Sequence, residues 1–446
     1  MKKLFNNGIT FFPPDFKVKP VNILVDDDII KSVSETPIKV DTETKVYDLN
    51  GQLIIPGILD CHTHFAQSFG RGIYDNLHLT EWLLTLSHHF KLSDEEAYYA
   101  AQLSSMEAIR SGTTTVAEMT TAGPYGEAVI QAIADSGLRV DVCMALGDFQ
   151  EGDNPPPTRS TAQTLDVMRD LYKEWHGKLN GRITVRVSPV GLPACTEDLI
   201  RGSRALAEEL GVGIHTHCCE GDIETENAYE RFGISEVEAL AEFDLLGPDC
   251  QLVHCIWLTE HDKDLIAEYN ASVVTCPSTN TKITDGMPPM PSLFERNVNI
   301  AIGCDGEASS GTYDMLQEAR LVSLLGKVHS NDAAMFPAEE IYRMMTVKGV
   351  KAIGFDTKVG ELKPGYKADL TVINYPAPHL IDEERLLSNF VFSATGGDVR
   401  STIVDGEVLM WEGKFQKIDE EETLANILEA LRKTKHIIPP KDWLKG

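Results

Sequence analysis

The sequence is poor in basic residues, and it contains no apolar run long enough to cross a bilayer. Its 446 residues include 40 Lys and Arg against 68 Asp and Glu, which gives a net charge of −28. Nucleic acid and anionic membrane surfaces are disfavoured partners because their phosphates would repel such a chain. A bilayer span needs about 20 consecutive apolar residues, and the apolar start after Met1 breaks within a few residues without a leader-cleavage site. A small-molecule partner and a cytoplasmic location are therefore expected, and a homo-oligomer such as a dimer is compatible with the sequence.

The nine cysteines show no pairing pattern. An odd number without Cys-x-x-Cys spacing predicts neither a disulfide framework nor a zinc knuckle, and free thiols suit a reducing compartment. Several cysteines neighbour candidate functional residues, and we interpret them as small buried packing groups. They are Cys61, Cys218, Cys219, Cys255 and Cys304.

Motifs of several other enzyme classes are missing as well. The sequence has neither the glycine fingerprint of dinucleotide-binding folds nor a phosphate-binding P-loop. It lacks the G-x-S-x-G and H-E-x-x-H motifs of serine hydrolases and zinc proteases, and the H-x-E and P-C-x-x-C pair of nucleic-acid-editing zinc deaminases. These absences argue against an open doubly wound nucleotide-binding sheet and against those chemistries.

What is present is an alternation of short β-branched runs with longer amphipathic segments, which is typical of repeated βα units. The composition, 42% hydrophobic and 24% charged, is that of a globular protein. Eight strands are predicted, at residues 54–60, 113–119, 139–146, 182–190, 212–217, 250–255, 271–276 and 298–305. Eight parallel strands with crossover helices close a TIM barrel. The sequence therefore predicts a (β/α)8 barrel of the α/β class.

The two ends of the chain have a different, β-rich texture. Residues 1–55 carry short β-like pieces, and strands return after residue 358, including a hairpin with an Asp405-Gly406 turn. Because so few strands cannot bury a core alone, both ends are predicted to form one small discontinuous β-sandwich. The predicted domains are residues 1–55 and 358–446 for this β-sandwich with a terminal helix, and 56–357 for a metal-dependent barrel.

Side chains able to bind metal fall at the C-terminal ends of the predicted barrel strands, where barrels of this class build their active sites. They are His62 and His64 at the end of the first strand, His217 at the end of the fifth, His254 at the end of the sixth and Asp305 at the end of the eighth. His215 shares a strand face with His217, so periodicity alone does not choose between them. We favour His217 because it lies nearer the strand end and places Glu220 at the barrel mouth.

The motifs that carry a family resemblance extend over nearly the whole chain. They occupy residues 56–64, 217–220, 253–255, 276–280, 303–306 and 360–370. As a set they resemble the amidohydrolase superfamily in its mononuclear deaminase branch, with adenosylhomocysteine and methylthioadenosine deaminases, 8-oxoguanine deaminases and triazine hydrolases. The resemblance implies one divalent metal per chain, zinc or alternatively iron. Its implied ligands are His62, His64, His217 and Asp305.

The same resemblance implies an aminohydrolase that releases ammonia from an amino-substituted nitrogen heterocycle of purine, pterin or triazine type. In that chemistry Asp305 is metal ligand and base, His254 orients the attacking water, and Glu220 protonates the ring nitrogen. The binuclear branch is disfavoured because residues 182–190 contain no Lys to bridge two metals. The alternatives are an adenosine-thioether deaminase, a triazine-type chlorohydrolase and a non-catalytic metal-binding relative.

Three residues are predicted to contact the substrate: Glu81, Trp82 and Val190. Trp82 can stack on a ring or belong to a helix core, and Glu81 resembles the residue with which nucleoside-type relatives grip ribose hydroxyls. Those relatives carry a His after the fourth strand, where this chain has Val190. Since buried hydroxyls without partners cost about 1–3 kcal/mol each, an apolar Val190 predicts a preference for the free heterocycle over its nucleoside.

Overall fold

The computed structural model describes residues 1–121, 125–150, 157–354 and 358–444. Its strands are, in chain order, β1 (Lys2–Phe12), β2 (Lys17–Asp26), β3 (Ile29–Ser34), β4 (Lys45–Asp48), β5 (Leu53–Pro56), β6 (Ile58–Thr63), β7 (Thr113–Thr121), β8 (Arg139–Ala145), β9 (Ile183–Val185), β10 (Ile214–Cys218), β11 (Cys250–His254), β12 (Ser272–Thr275), β13 (Asn299–Ile302), β14 (Leu370–Ile373), β15 (Val399–Val404), β16 (Glu407–Trp411) and β17 (Lys414–Phe415). Its helices are α1 (Leu79–His89), α2 (Asp94–Arg110), α3 (Gly126–Ser136), α4 (Thr161–Trp175), α5 (Lys178–Gly181), α6 (Glu197–Leu210), α7 (Asp222–Phe232), α8 (Glu236–Glu242), α9 (Glu260–Glu268), α10 (Pro277–Lys282), α11 (Met290–Glu295), α12 (Met315–Ser330), α13 (Ala338–Met344), α14 (Val347–Ile353), α15 (Leu386–Ser393) and α16 (Glu420–Lys433). Among the described residues, no helix combines the length and apolar character that a membrane span requires.

Strands β6 to β13 provide the eight parallel strands of a TIM-barrel fold. They form two four-stranded sheets, β6-β7-β8-β9 and β10-β11-β12-β13. The edges of the two sheets meet through isolated parallel bridges, one between Val187 and Ile214 and one between Thr63 and Asp305. Helices connect successive strands, as the βα pattern of the sequence predicts. All eight predicted barrel strands are present, although their ends differ by a few residues.

The two ends of the chain meet in one nine-stranded sheet. Its order is β17-β16-β15-β14-β5-β1-β2-β3, with β4 paired to β1. Strand β14 runs antiparallel to β5, which joins the C-terminal part to the N-terminal part. The predicted hairpin is confirmed, since Asp405 and Gly406, with φ of 49° and 67°, connect β15 to β16. The predicted domain boundary at residues 357/358 adjoins residues 355–357, which lie outside the described residues.

The apolar run before the first candidate histidines is divided between the barrel and the nine-stranded sheet of the two chain ends, which we call the terminal sheet. The sequence predicts one strand over residues 54–60, but β5 belongs to the terminal sheet and barrel strand β6 begins at Ile58. Gly57 is the joint, and its N–H donates to the Asp369 carbonyl at 2.8 Å. A Cβ at Gly57 would lie 2.1 Å from Oγ1 of Thr114. This close approach requires glycine, which has no Cβ.

A buried ion cluster ties barrel strand β8 to the terminal sheet. The fully buried guanidinium of Arg139 donates to the two carboxylate oxygens of Asp369 at 2.7 and 3.1 Å, and it also contacts Asp405. Arg182 donates to Asp405 at 3.0 Å. Burial would raise the pKa of Asp405, but the positive charges around it, Arg139 above all, hold that pKa below its usual value. Charge-assisted and bidentate pairs of this kind are stronger than neutral hydrogen bonds.

Replacing Arg139 by Lys should destabilise the protein although the charge is kept. A Lys ammonium cannot reproduce the forked guanidinium, so at least one charge-assisted hydrogen bond to Asp369 or Asp405 is lost, at about 1.5–3 kcal/mol each. Urea denaturation would measure the free energy of unfolding, with the exposed Arg385→Lys as the control. An unchanged midpoint for Arg139→Lys would contradict a stabilising role for this cluster.

Candidate active site

The C-terminal ends of β6, β10, β11 and β13 bring imidazoles and a carboxylate to one place. Nε2 of His62 lies 3.6 Å from Oδ1 of Asp305, and Nε2 of His64 lies 3.3 Å from the same oxygen. The ring of His217 is centred 5.0 Å from that of His62 and 5.7 Å from that of His64. Two groups at this centre have potential ligand atoms within 4.8 Å of one another: His62, His64 and Asp305, and His62, His217 and His254. Five side chains that the sequence places on four different strands therefore lie together.

Hydrogen bonds determine which nitrogen of each ring faces this centre. Nδ1 of His64 donates to the Met119 carbonyl at 2.6 Å, and Nδ1 of His217 donates to the Val190 carbonyl at 2.7 Å. Because a carbonyl oxygen can only accept, both rings carry a proton on Nδ1, and the Nε2 atoms face the centre. A metal-ligating histidine needs this tautomer, and such partners orient the ligating ring.

His62 also carries its proton on Nδ1, and here the hydrogen-bond partner is another histidine. Its Nδ1 lies 2.9 Å from Nε2 of His215, and the amide nitrogen of Gln251 lies 3.0 Å from that Nε2, which identifies the Nε2 as an acceptor. His62 therefore donates through Nδ1. Its own Nε2 is buried without a hydrogen-bond partner among the described residues. The structure thus places His215 behind His62, whereas the His217 ring lies at the centre.

These side chains fit a divalent cation. Burial lowers the pKa of His62 to about 4 and also lowers the pKa values of His217 and His254, so the three rings are neutral at physiological pH. Neutral imidazoles and a carboxylate are ligands that zinc and iron accept. A buried nitrogen without a partner, such as Nε2 of His62, is costly in free energy unless an ion or a proton donor meets it. The residues that could hold the ion are His62, His64, His217 and Asp305.

Asp305 is positioned by the backbone where the two barrel sheets meet. Its N–H donates to the His62 carbonyl at 2.8 Å, and Oγ of Ser309 donates to its Oδ2 at 3.3 Å. Burial would raise the pKa of Asp305, but the neighbouring imidazoles, His62 first and then His64, favour its carboxylate form and leave that pKa below its usual value. Asp305 also has a φ of 66°. A non-glycine residue in this conformation is uncommon, and such residues concentrate at functional sites.

His254 and Glu220 form a polar pair beside this centre. Nδ1 of His254 lies 3.0 Å from Oδ1 of Asn280, and its Nε2 lies 3.4 Å from Oε1 of Glu220. Burial first, and then the charges of Glu224 and Asp285, raise the pKa of the Glu220 carboxyl well above its usual value. A carboxyl group of this kind keeps its proton at higher pH than an exposed one, which is the property that a general acid needs.

A pocket of about 240 Å³ opens beside these groups. Its wall includes Trp82, Leu83 and Leu86 from α1 and Val190 from the loop after β9. Trp82 is only 6% exposed, and its Nε1 has no partner among the described residues, so the ring offers an apolar face and a free donor. Glu81 is exposed and is not among the described residues of this wall. A contact of Glu81 with the substrate therefore stays a prediction.

Several groups of the site were not assigned a role from the sequence. Asn280 lies in the motif at residues 276–280, so the motif was the signal that could have identified it. The carbonyls of Met119 and Val190 left no signal, because every residue type carries a carbonyl. Gln67 and Glu224 also line the pocket. No periodicity in the sequence marks either residue as part of the pocket wall.

Comparison with known proteins gives a consistent picture. Residues 53–409 match the Amidohydrolase family. Over 405 residues the chain is 35% identical to a 5′-deoxyadenosine deaminase of Methanothermobacter thermautotrophicus, with 90% of this chain and 91% of that protein covered. It is 33% identical to a 5-methylthioadenosine/S-adenosylhomocysteine deaminase of Moorella thermoacetica, with 87% and 89% covered. A crystal structure of an adenosine deaminase of Xanthomonas campestris with bound zinc has the same fold, with a TM-score of 0.87, 24% identity, and 97% and 98% covered.

Proposed function

The chain belongs to the amidohydrolase family, and within that family we propose that it deaminates an adenosine with a modified 5′ position. It is a hydrolase that releases ammonia from an amino-substituted nitrogen heterocycle. The proposal of a 5′-modified nucleoside is supported by one observation. The two relatives described above, at 35% and 33% identity over almost the whole chain, are both deaminases of such adenosines.

We propose one zinc ion per chain. His62, His64, His217 and Asp305 would hold it, with His215 orienting His62. When bound, the ion supplies Lewis acidity, which lets water ionise near neutral pH. A second ion at a bridging Lys is not part of the proposal, because residues 182–190 contain no Lys.

The protein's own groups would manage the protons. Asp305 accepts the proton of the attacking water and later delivers it to the leaving ammonia. His254, held by Asn280, positions that water, and Glu220 gives a proton to the ring nitrogen beside the attacked carbon. When the product carbonyl forms, the second proton of the water returns to Glu220. The pKa values of the two carboxyls are displaced in opposite directions, down for Asp305 and up for Glu220. This difference supports a division into base and acid.

Val190 is compatible with a nucleoside substrate. The predicted preference for a free heterocycle depends on the apolar side chain of Val190, which offers no partner to sugar hydroxyls. The contact of Val190 with His217 is made by the Val190 carbonyl and does not involve that side chain. The apolar wall that Val190 shares with Trp82, Leu83 and Leu86 suits a deoxy or thioether group better than a 5′ hydroxyl. The pocket composition is therefore in keeping with a 5′-modified adenosine.

5′-Deoxyadenosine should be deaminated with a kcat/KM at least about 10-fold above that of adenine, because only the nucleoside fills the apolar wall. Ammonia release by zinc-loaded protein would measure both, with methylthioadenosine as a second nucleoside. A higher kcat/KM for adenine or another free amino heterocycle would contradict the nucleoside proposal and favour the interpretation based on Val190. Chloride release from a chlorotriazine, without ammonia from any nucleoside, would instead support a chlorohydrolase.

A further inference from the structure

Two adjacent cysteines at the end of β10 bring their thiols together beside the pocket. Side chains of consecutive residues on a strand point to opposite faces, but Cys219, with a φ of 49°, no longer has the strand conformation. Its Sγ lies 3.8 Å from Sγ of Cys218, the last residue of β10. Both thiols are buried, and neither belongs to a disulfide. A pair of free thiols therefore lies between His217 and Glu220 in the chain.

A buried carboxyl group lies beside these thiols. Glu236, the first residue of α8, is 1% exposed, and its Oε2 accepts the N–H of Cys219 at 2.9 Å. The potential ligand atoms of Cys218, Cys219 and Glu236 all lie within 4.8 Å of one another. Among the groups of possible metal ligands in the described part of the chain, this one alone contains sulfur. Neither the proposed zinc ion nor the proposed proton transfers use any of these three side chains.

The spacing of the two sulfurs suits a tetrahedral cation. Zinc binds thiolates at about 2.3 Å in tetrahedral geometry, so two sulfurs on one ion lie about 3.8 Å apart. The two Sγ atoms have this separation. Thiolates favour soft ions, whereas magnesium and calcium prefer oxygen ligands. A carboxylate completes a set of three ligands that zinc and similar ions accept.

The ligand groups carry protons until an ion binds. Burial, and then the charge of Glu224, raise the pKa of the Glu236 carboxyl to about 8. Contact with Cys218, and then burial, raise the pKa of the Cys219 thiol. A bound cation displaces these protons into solvent, which weakens its binding. With three protein ligands against four at the catalytic centre, this site binds an ion less tightly, so purified protein retains one zinc.

The pocket gives an ion access to these groups, because Cys218 and Glu236 line its wall together with Glu220. We propose that Cys218, Cys219 and Glu236 bind a thiophilic divalent cation such as Zn²⁺ or Cd²⁺, and that the bound ion inhibits deamination. The ion occupies the wall against which the substrate binds, and it fixes the position of Cys219, which directly precedes Glu220. Only the inhibition rests on the proposed function.

Titration of the zinc-loaded protein with Cd²⁺ tests the binding. The signal is the ultraviolet charge-transfer absorption of a cadmium thiolate, which a site of histidines and a carboxylate does not produce. The wild type should gain this absorption with about one Cd²⁺ per chain and should keep its zinc, measured by elemental analysis. Cys219→Ser should reduce the absorption and weaken Cd²⁺ binding at least about 10-fold, because a ligand sulfur is lost. Serine keeps the backbone N–H that donates to Glu236.

Cys250→Ser is the matched control. Cys250 is buried to the same extent as Cys219, but it begins β11 and therefore lies at the end of the barrel opposite the pocket. This variant should keep the Cd²⁺ affinity and the absorption of the wild type. Glu236→Gln is a second test variant, which keeps an acceptor for the Cys219 N–H but lacks the charge, and it should bind Cd²⁺ about 5- to 10-fold more weakly. Thermal denaturation verifies the fold of each variant.

Inhibition is measured as the Cd²⁺ concentration that halves ammonia release from 5′-deoxyadenosine. This concentration should rise at least about 10-fold in Cys219→Ser and stay unchanged in Cys250→Ser. A wild type without thiolate absorption, or a wild-type Cd²⁺ affinity in both test variants, would overturn the site. Cd²⁺ binding at the thiols without inhibition would overturn the inhibitory role alone. If no nucleoside is deaminated, the proposed function and the inhibition fail together, and the absorption titration still decides whether the site exists.

Discussion

Asp305→Ala protein should be purified without bound zinc and should release no ammonia above background. Oδ1 of Asp305 lies 3.6 Å from Nε2 of His62 and 3.3 Å from Nε2 of His64, so the substitution removes a ligand atom and its negative charge together. The same substitution removes the base of the proposed mechanism. Lewis-acid and base contributions of several kcal/mol correspond to a loss of about 10³-fold or more in rate.

Elemental analysis and an ammonia assay on the same samples would measure both losses. Ser309→Ala is a matched control, because Ser309 donates to the other carboxylate oxygen of Asp305 and should leave about one zinc per chain. His62→Ala should lose the metal as Asp305→Ala does. His215→Ala removes only the group behind His62 and should weaken metal binding by about 10- to 100-fold. Two tightly held metals in the wild type, or full zinc in Asp305→Ala, would contradict the proposal.

The barrel could be predicted because its strands follow one another with the same alternation of β-branched runs and amphipathic helices. The strand that ends near His217 is an example, predicted at residues 212–217 and observed at Ile214–Cys218. The division at Gly57 could not be predicted. An apolar run has the same appearance in either sheet, and the close contact with Thr114 that ends one strand and starts the next is visible only in three dimensions.

The convergence of the candidate ligands could also be predicted, because parallel strands of a barrel end at the same face. The hydrogen bonds that orient these ligands could not be predicted from the sequence. The hydrogen bond between His62 and His215 depends on the positions of two distant strands, and the Met119 carbonyl that orients His64 has no residue-type signature. On α1, adjacent residues point about 100° apart around the helix. A helix that buries Trp82 against the pocket therefore turns the neighbouring Glu81 away from it, towards solvent.

Glu220→Gln should lower kcat by roughly 10²-fold or more while the zinc content stays at the wild-type level. Gln keeps the size of Glu and can still contact His254, but it cannot deliver a proton to the ring nitrogen. Metal binding should not change, because the proposed ligands are other residues. A large effect on kcat with little effect on KM would indicate that Glu220 acts in the transition state and not in substrate binding.

The pH dependence of kcat/KM distinguishes a general-acid role of Glu220 from a merely structural role. A general acid works in its protonated form, so wild-type kcat/KM should fall as the pH rises through the raised pKa of Glu220. Glu220→Gln should lose this alkaline limb, whereas the exposed Glu226→Gln should keep both the limb and the rate. Near-native turnover of Glu220→Gln would show that the ring nitrogen receives its proton elsewhere. In that case His254, which lies 3.4 Å from Glu220 and is held by Asn280, would be the next group to replace.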